Sequence, residues 1–367
     1  LAAGLAEAIA REVEPGREYA FMEFCGGHTH AISRYGVADL LPANVRLIHG
    51  PGCPVCVLPV GRVDMAIRLA LARPEVILCT YADCLRVPAS DGLSLLKAKA
   101  QGGDIRMVYS CMDAVTLAQQ HPEKQVVFFA IGFETTAPTI AATLLQAKQR
   151  GVENFVVICA GKTMPQALEA LMADPELQVD GLLCPGHVSA IIGSGAYQPL
   201  ADRYGLACAV AGFEPADILV GLLALIRRIN QGEAGVDNCY TRAVTTEGNA
   251  RAQQLMTEVF QPADSEWRGL GVIAGSGLEL RETYRSFDAL ERLGIAVQPA
   301  QEPKGCRCGE ILKGRMLPPD CPLYGTACTP IKPVGPCMVS NEGTCAAFYR
   351  YSGVKHATTA QPSVSQP

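Results

Sequence analysis

The sequence predicts an α/β protein built around parallel sheets, and three observations support that class. Short apolar runs rich in Val, Ile and Phe alternate with segments of helical period through the first 230 residues. The apolar runs are bounded by Gly, Pro or Asp, as strands usually are. Strand–helix alternation places helices on the faces of a parallel sheet. The eight candidate strands are YAFMEF, NVRLIHG, EVILCT, DIRMVYS, QVVFFAIG, NFVVICAG, GLLCPG and CAVAGF.

The domain organisation is predicted from length and from the spacing of these strands. The chain has 367 residues, of which 49% are hydrophobic, enough for two or three domains. Eight strands can form one large sheet or two four-stranded domains, and a break at His121 and Pro122 divides them evenly. We therefore predict two similar α/β domains, over residues 17–120 and 121–232.

The composition changes beyond Gln231. A helix-like stretch, EGNARAQQLMTEVF, precedes a loop and a strand-like GLGVIAG. From Pro303 onward Gly, Pro and Cys dominate and regular periodicity disappears. The polar tail HATTAQPSVSQP is expected to be disordered. A third, cysteine-rich part of the chain is therefore expected after the two α/β domains.

Charge and hydropathy exclude several classes of protein. Charged residues make up 18% of the chain and the net charge is -5, so the composition gives no reason to expect a basic surface that binds nucleic acid. No apolar run is long enough to span a bilayer. The start, LAAGLAEAIAREVEPG, is typical of an amphipathic helix and lacks the layout of a signal peptide. We expect a cytoplasmic protein in a reducing compartment.

The chain has 16 cysteines, and their contexts differ. Cys79, Cys159 and Cys208 lie in apolar, strand-like runs and are interpreted as small buried core residues. In a reducing compartment the remaining cysteines are better explained by metal or redox chemistry than by a disulfide framework.

Six cysteines fall within forty residues near the C-terminus. Loops rich in Gly and Pro suit a metal centre, and the absence of histidine there implies an all-sulfur ligand set. Four thiolates suit either a [4Fe–4S] cluster or structural zinc. The wide spacings lack the two C-x2-4-C knuckles usual for zinc and favour iron–sulfur. Two cysteines are then spare and can form a disulfide beside the cluster; structural disulfides throughout are the alternative. The six are Cys306, Cys308, Cys321, Cys328, Cys337 and Cys345.

A second candidate site is Cys25 in FCGGHTHAISRYG, directly after the first strand. Open α/β sheets bind ligands at the carboxyl ends of their strands. The two following glycines allow close approach by another backbone or a ligand, and His28 and His30 supply imidazoles. A thiol there can be deprotonated by histidine or by a helix N-terminus and act as nucleophile or metal ligand. The alternative is a buried cysteine beside a Gly-Gly turn.

The third site is HGPGCPVCVLPVG, with Cys53 and Cys56, between a strand and a helix. A C-P-x-C at a helix start has the geometry of thiol–disulfide exchange, and the helix N-terminus would stabilise a thiolate. Pro54 fixes the turn, and the flanking Pro and Gly predict a rigid, exposed loop. Half of a zinc site is the alternative, without a clear second half.

Two further strand ends carry polar groups. Glu134, Thr135 and Thr136 follow QVVFFA, and Cys184 and His187 lie in CPGHVSAIIG. Each can be a site for an incoming group or simply a helix cap. Neither G-x-G-x-x-G nor a P-loop appears, so nucleotide binding is unsupported.

Taken together, these motifs resemble the HypD family of hydrogenase maturation factors. FCGGHTHAI, GPGCPVC, IGFETTAPT, CPGHVSAIIG and the spaced C-terminal cysteines match it in order, from about Tyr19 to Tyr351. The resemblance implies a scaffold on which the Fe(CN)2CO unit of [NiFe]-hydrogenase is assembled. The implied partners are the small chaperone HypC and HypE, the cyanide donor, which obtains cyanide with HypF. The implied fold is two Rossmann-like domains and a cluster domain from both chain ends, residues 1–16 and 233–367.

The resemblance also implies roles for individual cysteines. Cys25 would hold the iron, with Cys53 and Cys56 as a thiol pair near it. Cys308 and Cys337 would be a redox-active dithiol beside the cluster. The cluster ligands would be Cys306, Cys321, Cys328 and Cys345.

A mechanism follows as a hypothesis. Electrons from the [4Fe–4S] cluster would pass through the two cysteine pairs towards the transient Fe(CN)2CO unit. His28, His30 and His187 would orient ligands or move protons, and Glu134 would bind the incoming group or a partner. Two other classes remain open: an iron–sulfur thiol–disulfide oxidoreductase acting on a partner protein, and a zinc-stabilised interaction scaffold.

Overall fold

The structure, a computed structural model, describes residues 1–351. Its strands are β1 (Tyr19–Glu23), β2 (Val45–His49), β3 (Val76–Thr80), β4 (Ile105–Met107), β5 (Gln125–Gly132), β6 (Phe155–Gly161), β7 (Gly181–Pro185), β8 (Ala207–Ala211), β9 (Gly235–Asn238), β10 (Phe260–Trp267) and β11 (Gly271–Leu280). Its helices are α1 (Ala2–Glu12), α2 (Gly26–Tyr35), α3 (Val60–Ala72), α4 (Leu95–Ala100), α5 (Cys111–Gln120), α6 (Ala137–Gln149), α7 (Met164–Met172), α8 (Gly186–Ile192), α9 (Gln198–Tyr204), α10 (Pro215–Asn230), α11 (Ala250–Val259), α12 (Ala289–Leu293), α13 (Cys308–Leu312) and α14 (Thr344–Tyr351).

The predicted α/β class is confirmed, and all eight predicted strands are present as β1 to β8. They form two parallel sheets, in the orders β2-β1-β7-β8-β9 and β4-β3-β5-β6. Every residue of β3, β7 and β8 is buried. Helices cover both faces of these strands, which is why their sequences are continuous apolar runs without alternation.

The predicted division of the chain at residue 121 is wrong. Strands β3 and β4 precede that point but pair with β5 and β6, which follow it. The chain builds β1 and β2 in the first sheet, crosses to the second for β3 to β6, and returns for β7 to β9. Apolar periodicity reports that a strand exists, whereas strand pairing is decided by the packing of distant segments.

The N-terminal helix belongs to the first sheet's unit, not to the cysteine-rich part where residues 1–16 were expected. Helix α1 packs on α10, and Ile9 is fully buried in the apolar core beneath the first sheet. Asn230 fixes the junction, because its Oδ1 accepts from Tyr19 Oη at 2.7 Å and its Nδ2 donates to Glu12 O at 2.6 Å. Helix α1 therefore stabilises the unit of the first sheet and not the cysteine-rich region.

An antiparallel hairpin of β10 and β11 extends the second sheet. The predicted helix and the strand-like GLGVIAG are present as α11 and β11, but β10 was expected to be a loop. Its sequence, FQPADSEW, is polar because the strand is exposed at alternate positions. An antiparallel bridge from Lys162 to Gly277 joins the hairpin to the edge of the second sheet.

The cysteine-rich region, residues 303–351, has little regular structure beyond α13 and α14. Helix α14 packs on α2, which follows the first strand. The tail predicted to be disordered, residues 356–367, lies outside the described residues. Within residues 1–351, no helix combines the length and the apolar character that crossing a bilayer requires.

Candidate functional site

Cys25 lies at the junction between β1 and α2, where it is the N-cap residue of the helix with an extended backbone. Its side chain is 7% exposed. The amides of Gly27 and His28 hydrogen-bond to its sulfur and favour the thiolate. Burial nevertheless raises the pKa of Cys25 to about 12, and the charges of Glu342 and Glu23 add to that effect. The metal-free thiol therefore keeps its proton at neutral pH, and a bound metal would displace it.

The backbone of the CPVC loop lies directly against Cys25. The amide of Gly26 donates to the carbonyl of Gly52 at 3.1 Å. A Cβ atom at Gly52 would lie 2.5 Å from the carbonyl carbon of Phe24 and 2.6 Å from the Cα of Cys25. Only glycine, which has no Cβ, allows the backbones to come this close. Gly52 therefore places the CPVC motif in direct contact with Cys25.

Cys53 and Cys56 form a disulfide, with Cα atoms 5.2 Å apart. The amide of Cys56 also donates to Cys53 Sγ at 3.2 Å. Two details of the prediction are wrong. The loop is buried, with both cysteines no more than 3% exposed. Helix α3 begins only at Val60, so its N-terminus does not serve Cys53.

A buried polar network behind Cys25 was missed by the sequence analysis. Glu23, 1% exposed, accepts from the Cys25 amide at 2.8 Å through Oε2. Its Oε1 meets His49 Nδ1 at 2.6 Å and accepts from Thr29 Oγ1. A carboxylate inside the apolar strand YAFME was the available signal, because buried charges are retained only with partners.

The three candidate histidines have different surroundings. His28 is fully buried, and its Nε2 lies 2.9 Å from the carbonyl oxygen of Gly212, so that nitrogen carries a proton. Its Nδ1 has no partner among the described residues, and burial lowers the pKa of His28. His187 is exposed and stacks on Phe213 at 3.8 Å between ring centroids. The ring of His30 contacts the cysteine-rich region, where it lies edge-on to the ring of Tyr351.

Glu134 extends the site to the second sheet. It follows β5, is 2% exposed, and accepts from the amide of Met164 at 2.8 Å. Its Oε2 has no partner in the described part of the chain. Burial raises the pKa of Glu134 to about 7 despite that hydrogen bond. Because Met164 is the first residue of α7, this hydrogen bond makes Glu134 a cap of that helix. Its other oxygen is available to gain or lose a proton.

Tyr197 is a buried tyrosine whose hydroxyl lies 3.0 Å from Ser189 Oγ of α8. Burial raises its pKa, and the charges of Cys184, Glu134 and Cys25 raise it further. Tyr197 is therefore affected by groups from both sheets, since Cys25 follows β1, Cys184 lies in β7 and Glu134 follows β5. Cys184 itself is buried in the first sheet and hydrogen-bonded to Cys208 on the neighbouring strand.

Lys162, at the end of β6, is a second missed residue. It is 3% exposed, and burial lowers its pKa to about 7, with the charge of Arg62 adding to that effect. Its Nζ donates to Ser265 Oγ at 2.8 Å and to the carbonyl of Glu266, and it lies 5.1 Å from the ring centroid of Trp267. The sequence offered no signal, because a single lysine after an apolar run is common.

The six C-terminal cysteines come together. Cys337 is hydrogen-bonded to Cys308 and to Cys345, and hydrogen bonds from Cys308 and Cys337 lower the pKa of Cys345 to about 6. In residues 1–351, no three His, Cys, Asp or Glu side chains converge on a single point as ligands of one ion. A [4Fe–4S] cluster is larger than an ion, and the cysteine thiols of one small cavity, which apolar side chains and Tyr324 also line, match its all-sulfur donor set. The thiols lining one small cavity are Cys306, Cys308, Cys321, Cys328 and Cys345.

Close contacts join this region to the other two cysteine sites. A Cβ atom at Gly26 would collide with Glu342, just before α14. The amide of Arg268 donates to Val57 O, directly after the CPVC disulfide, at 2.9 Å. A Cβ atom at Gly269 would lie 2.5 Å from the Cα of Gly309, beside Cys308. The three predicted sites therefore form one continuous region.

Comparison with known proteins decides the family. A family model described as HypD, hydrogenase formation hypA family, matches residues 1–352. The chain belongs to the HypD family. It is 54% identical over 359 residues to the hydrogenase expression/formation protein HupD of Azotobacter chroococcum mcd 1, covering 96% of this chain and 94% of that protein. The hydrogenase maturation factor HypD of Escherichia coli K12 is 49% identical over 336 residues, covering 91% and 90%.

The family assignment confirms the resemblance drawn from the motifs. The hydrogenase maturation factor HypD of Azotobacter vinelandii is 53% identical over 362 residues, or 97% of this chain and 95% of that protein. The HypD-family chain is therefore a hydrogenase maturation factor. The roles of its individual cysteines stay predictions.

Proposed function

We propose that this HypD-family chain is the scaffold on which the Fe(CN)2CO unit of [NiFe]-hydrogenase is assembled. Iron is the substrate, and Cys25 is its ligand on this chain. The observation that carries the proposal is the position of Cys25: a buried thiol at a helix N-terminus, against the CPVC loop.

The surroundings of Cys25 suit this cargo. A thiolate is a soft ligand, appropriate for iron that also carries strong-field ligands. The amides of Gly27 and His28 offset its negative charge. Phe213 packs so closely on Gly27 that a Cβ atom there would meet its ring at 2.8 Å. That packing limits access of water to the bound unit.

The cysteine pairs supply the redox part of the proposal. Two thiols, Cys308 and Cys337, would give two electrons and two protons and become a disulfide. The Cys53–Cys56 disulfide would take them up and become two thiols. A [4Fe–4S] cluster held by the four remaining C-terminal thiols would supply two electrons, one at a time, which together with two protons from solvent would restore the first pair. The contacts of Arg268 with Val57 and of Gly269 with Gly309 keep the two segments adjacent.

Proton movement is assigned to Glu134 and His28. Glu134 has a pKa of about 7 and an unpartnered oxygen, so it can gain or lose a proton at neutral pH. His28, whose amide hydrogen-bonds to the Cys25 sulfur, has an Nδ1 without a partner among the described residues. When protonated, Glu134 can donate a hydrogen bond to an incoming ligand, whereas Nδ1 of neutral His28 can only accept one.

The proposed partners are a HypC-type chaperone, which would provide a second iron ligand, and HypE as cyanide donor. The exposed ring of His187, stacked on Phe213, offers an aromatic surface beside Cys25 for such a partner. A cytoplasmic location stays a prediction.

The alternative function, a thiol–disulfide oxidoreductase for partner proteins, is less well supported. Exchange with an external disulfide requires an accessible attacking thiol. Cys53 and Cys56 are 3% and 0% exposed, so a partner's disulfide would reach neither without a rearrangement of the loop.

The test is the Cys25→Ala variant, copurified anaerobically with a HypC-type chaperone. We expect loss of the carbonyl and cyanide infrared bands, with iron and sulfide of the cluster and the circular dichroism spectrum unchanged. Cys111→Ala, at a buried cysteine that begins α5 beside the second sheet, is the matched control and should keep the bands. Bands retained in Cys25→Ala would reject the proposal. Wild-type protein that lacks bands but reduces a protein disulfide would favour the oxidoreductase, and stoichiometric zinc without sulfide would favour the zinc scaffold.

A further inference from the structure

An open groove of about 610 Å³ lies beside the cysteine-rich region. One wall is formed within residues 86–97, before and inside α4. The other wall is formed by residues 301–304 and 331–334. None of these residues has a role in the proposed assembly of the iron unit.

The rim of the groove is cationic. Lys97, Lys304 and Lys332 are exposed on it. None of the three forms an ion pair among residues 1–351, and Lys97 Nζ donates only to the carbonyl of Gly92. Glu302 on the same rim is neutralised by Arg268. Asp91, exposed in the same lining, is the other carboxylate, so a chain with net charge -5 still carries an excess of positive charge here.

The centre of the groove is apolar and open. Ile331 is 95% exposed and Leu96 is 49% exposed. A small apolar patch with a charged rim is characteristic of transient protein–protein contacts rather than of an enclosed small-molecule site.

Beneath the groove lies a buried cation with an unpartnered donor. Arg268 is 2% exposed; its Nε donates to Glu302 at 2.7 Å and its Nη1 to the carbonyl of Pro88 at 3.3 Å. Both of those partners line the groove. Arg268 Nη2 has no partner among the described residues. The buried Arg268 therefore fixes Glu302 and Pro88 in the wall of the groove.

The wall formed by residues 331–334 also lies against the cavity lined by the C-terminal thiols. The amide of Val334, which lines the groove, donates to Cys328 Sγ at 3.3 Å. At the next residue, Gly335, a Cβ atom would lie 2.5 Å from Cys308 Sγ and 2.6 Å from Cys306 Sγ. A single layer of backbone therefore separates the groove from the proposed cluster ligands.

We propose that this groove docks a small acidic electron-carrier protein that reduces the cluster. The proposal rests on the cluster in the proposed function. The carrier loses one electron and the cluster gains it, with no proton or group transferred. Acidic side chains of the carrier would meet the three lysines. Because only the backbone of Val334 and Gly335 separates the groove from the thiols, an electron donor bound in the groove would lie close to the cluster.

The test uses the complete, anaerobically purified protein and an acidic plant-type [2Fe–2S] ferredoxin as probe. Titration calorimetry gives the Kd at low and high salt. For the wild type we expect a Kd that weakens about tenfold or more between low and high salt, because the charges face solvent. The double variant Lys304→Glu/Lys332→Glu should bind at least about tenfold more weakly at low salt, and should reduce its cluster correspondingly more slowly, as followed by bleaching.

The matched control is Arg11→Glu/Arg251→Glu, which changes the net charge equally on α1 and α11, away from the groove. It should bind within about twofold of the wild type. Equal weakening in both double variants, or no binding by the wild type, overturns the proposal.

Failure of the proposed function can be distinguished from failure of the docking site. Iron and sulfide content and the carbonyl and cyanide infrared bands are measured on each sample. Missing bands with intact, lysine-dependent docking would reject the assembly role alone. Absence of iron and sulfide from the wild type would reject the electron-transfer role of the groove. An intact cluster reduced equally fast in the lysine variant would reject the docking site alone.

Discussion

Glu23 holds Cys25 by accepting a 2.8 Å hydrogen bond from its backbone amide. The same carboxylate meets His49, the last residue of β2, and the His49 ring contacts Phe348 of α14 edge-on. One buried side chain thus connects the proposed iron ligand, the strand leading to the CPVC loop and the cysteine-rich region. The position of Cys25 depends on groups contributed by all three.

Replacing Glu23 with Gln should weaken this arrangement. The amide keeps the shape but turns one acceptor oxygen into a donor, which leaves a buried group unsatisfied. We expect a loss of about 1–3 kcal/mol in the free energy of unfolding, measured by urea denaturation. Infrared bands of bound Fe(CN)2CO should also become weaker or broader. Glu18→Gln, an exposed position one residue before β1, should change neither quantity.

Glu23 would be a merely structural residue if the infrared bands of the variant were unchanged at full occupancy while stability fell. The double variant with Thr29→Val distinguishes the two roles further, because Thr29 donates to the other oxygen of Glu23.

Gly52→Ala tests the contact between the CPVC loop and Cys25. The added methyl would meet backbone atoms of Phe24 and Cys25, which cannot move as a side chain can. We expect destabilisation of about 1–3 kcal/mol and loss of the iron unit. Gly4→Ala is the same chemical change in α1 with open space around it. Thermal denaturation should show Gly4→Ala stabilised by about 0.5–1 kcal/mol. A neutral effect of Gly52→Ala would contradict the close approach.

Glu134 should make stability depend on pH. The pKa of Glu134 is raised from 4.5 to about 7 by burial, so the folded state keeps a proton that the unfolded state releases. The stabilisation is present below pH 4.5 and is lost as the pH rises through about 7. From pH 5 to 8 the wild type should lose up to about 3 kcal/mol more than Glu134→Gln. Parallel curves for the two proteins in denaturant titrations would show that Glu134 is ionised in the folded state.

Cys321→Ser should remove one ligand of the proposed cluster. We expect iron and acid-labile sulfide to fall to a small fraction of the wild-type content in anaerobic preparations, because four thiolates are required. Cys79→Ser, in the buried strand β3, is the control and should keep both while losing some stability. Full iron and sulfide in Cys321→Ser would exclude this residue from the ligand set.

The chemistry-bearing residues were recognisable in sequence because each lies in a distinctive local context. Cys25 follows a strand and precedes two glycines, and the CPVC motif lies between a strand and a helix. Such patterns involve few neighbouring residues. The exposure of the CPVC loop was misjudged for the same reason, since its burial comes from Arg268 and other distant segments.

The sequence by itself determined the α/β class, the eight strands of the first 211 residues and the membership of one cysteine-rich family. These depend on apolar periodicity and on short motifs, which are local properties. Only the tertiary structure decided that β3 and β4 join β5 and β6, that α1 packs on α10, and that Glu23 and His49 lie behind Cys25. Those relationships arise because burial of apolar surface selects among many pairings of distant segments, and no local pattern records which pairing buries the most.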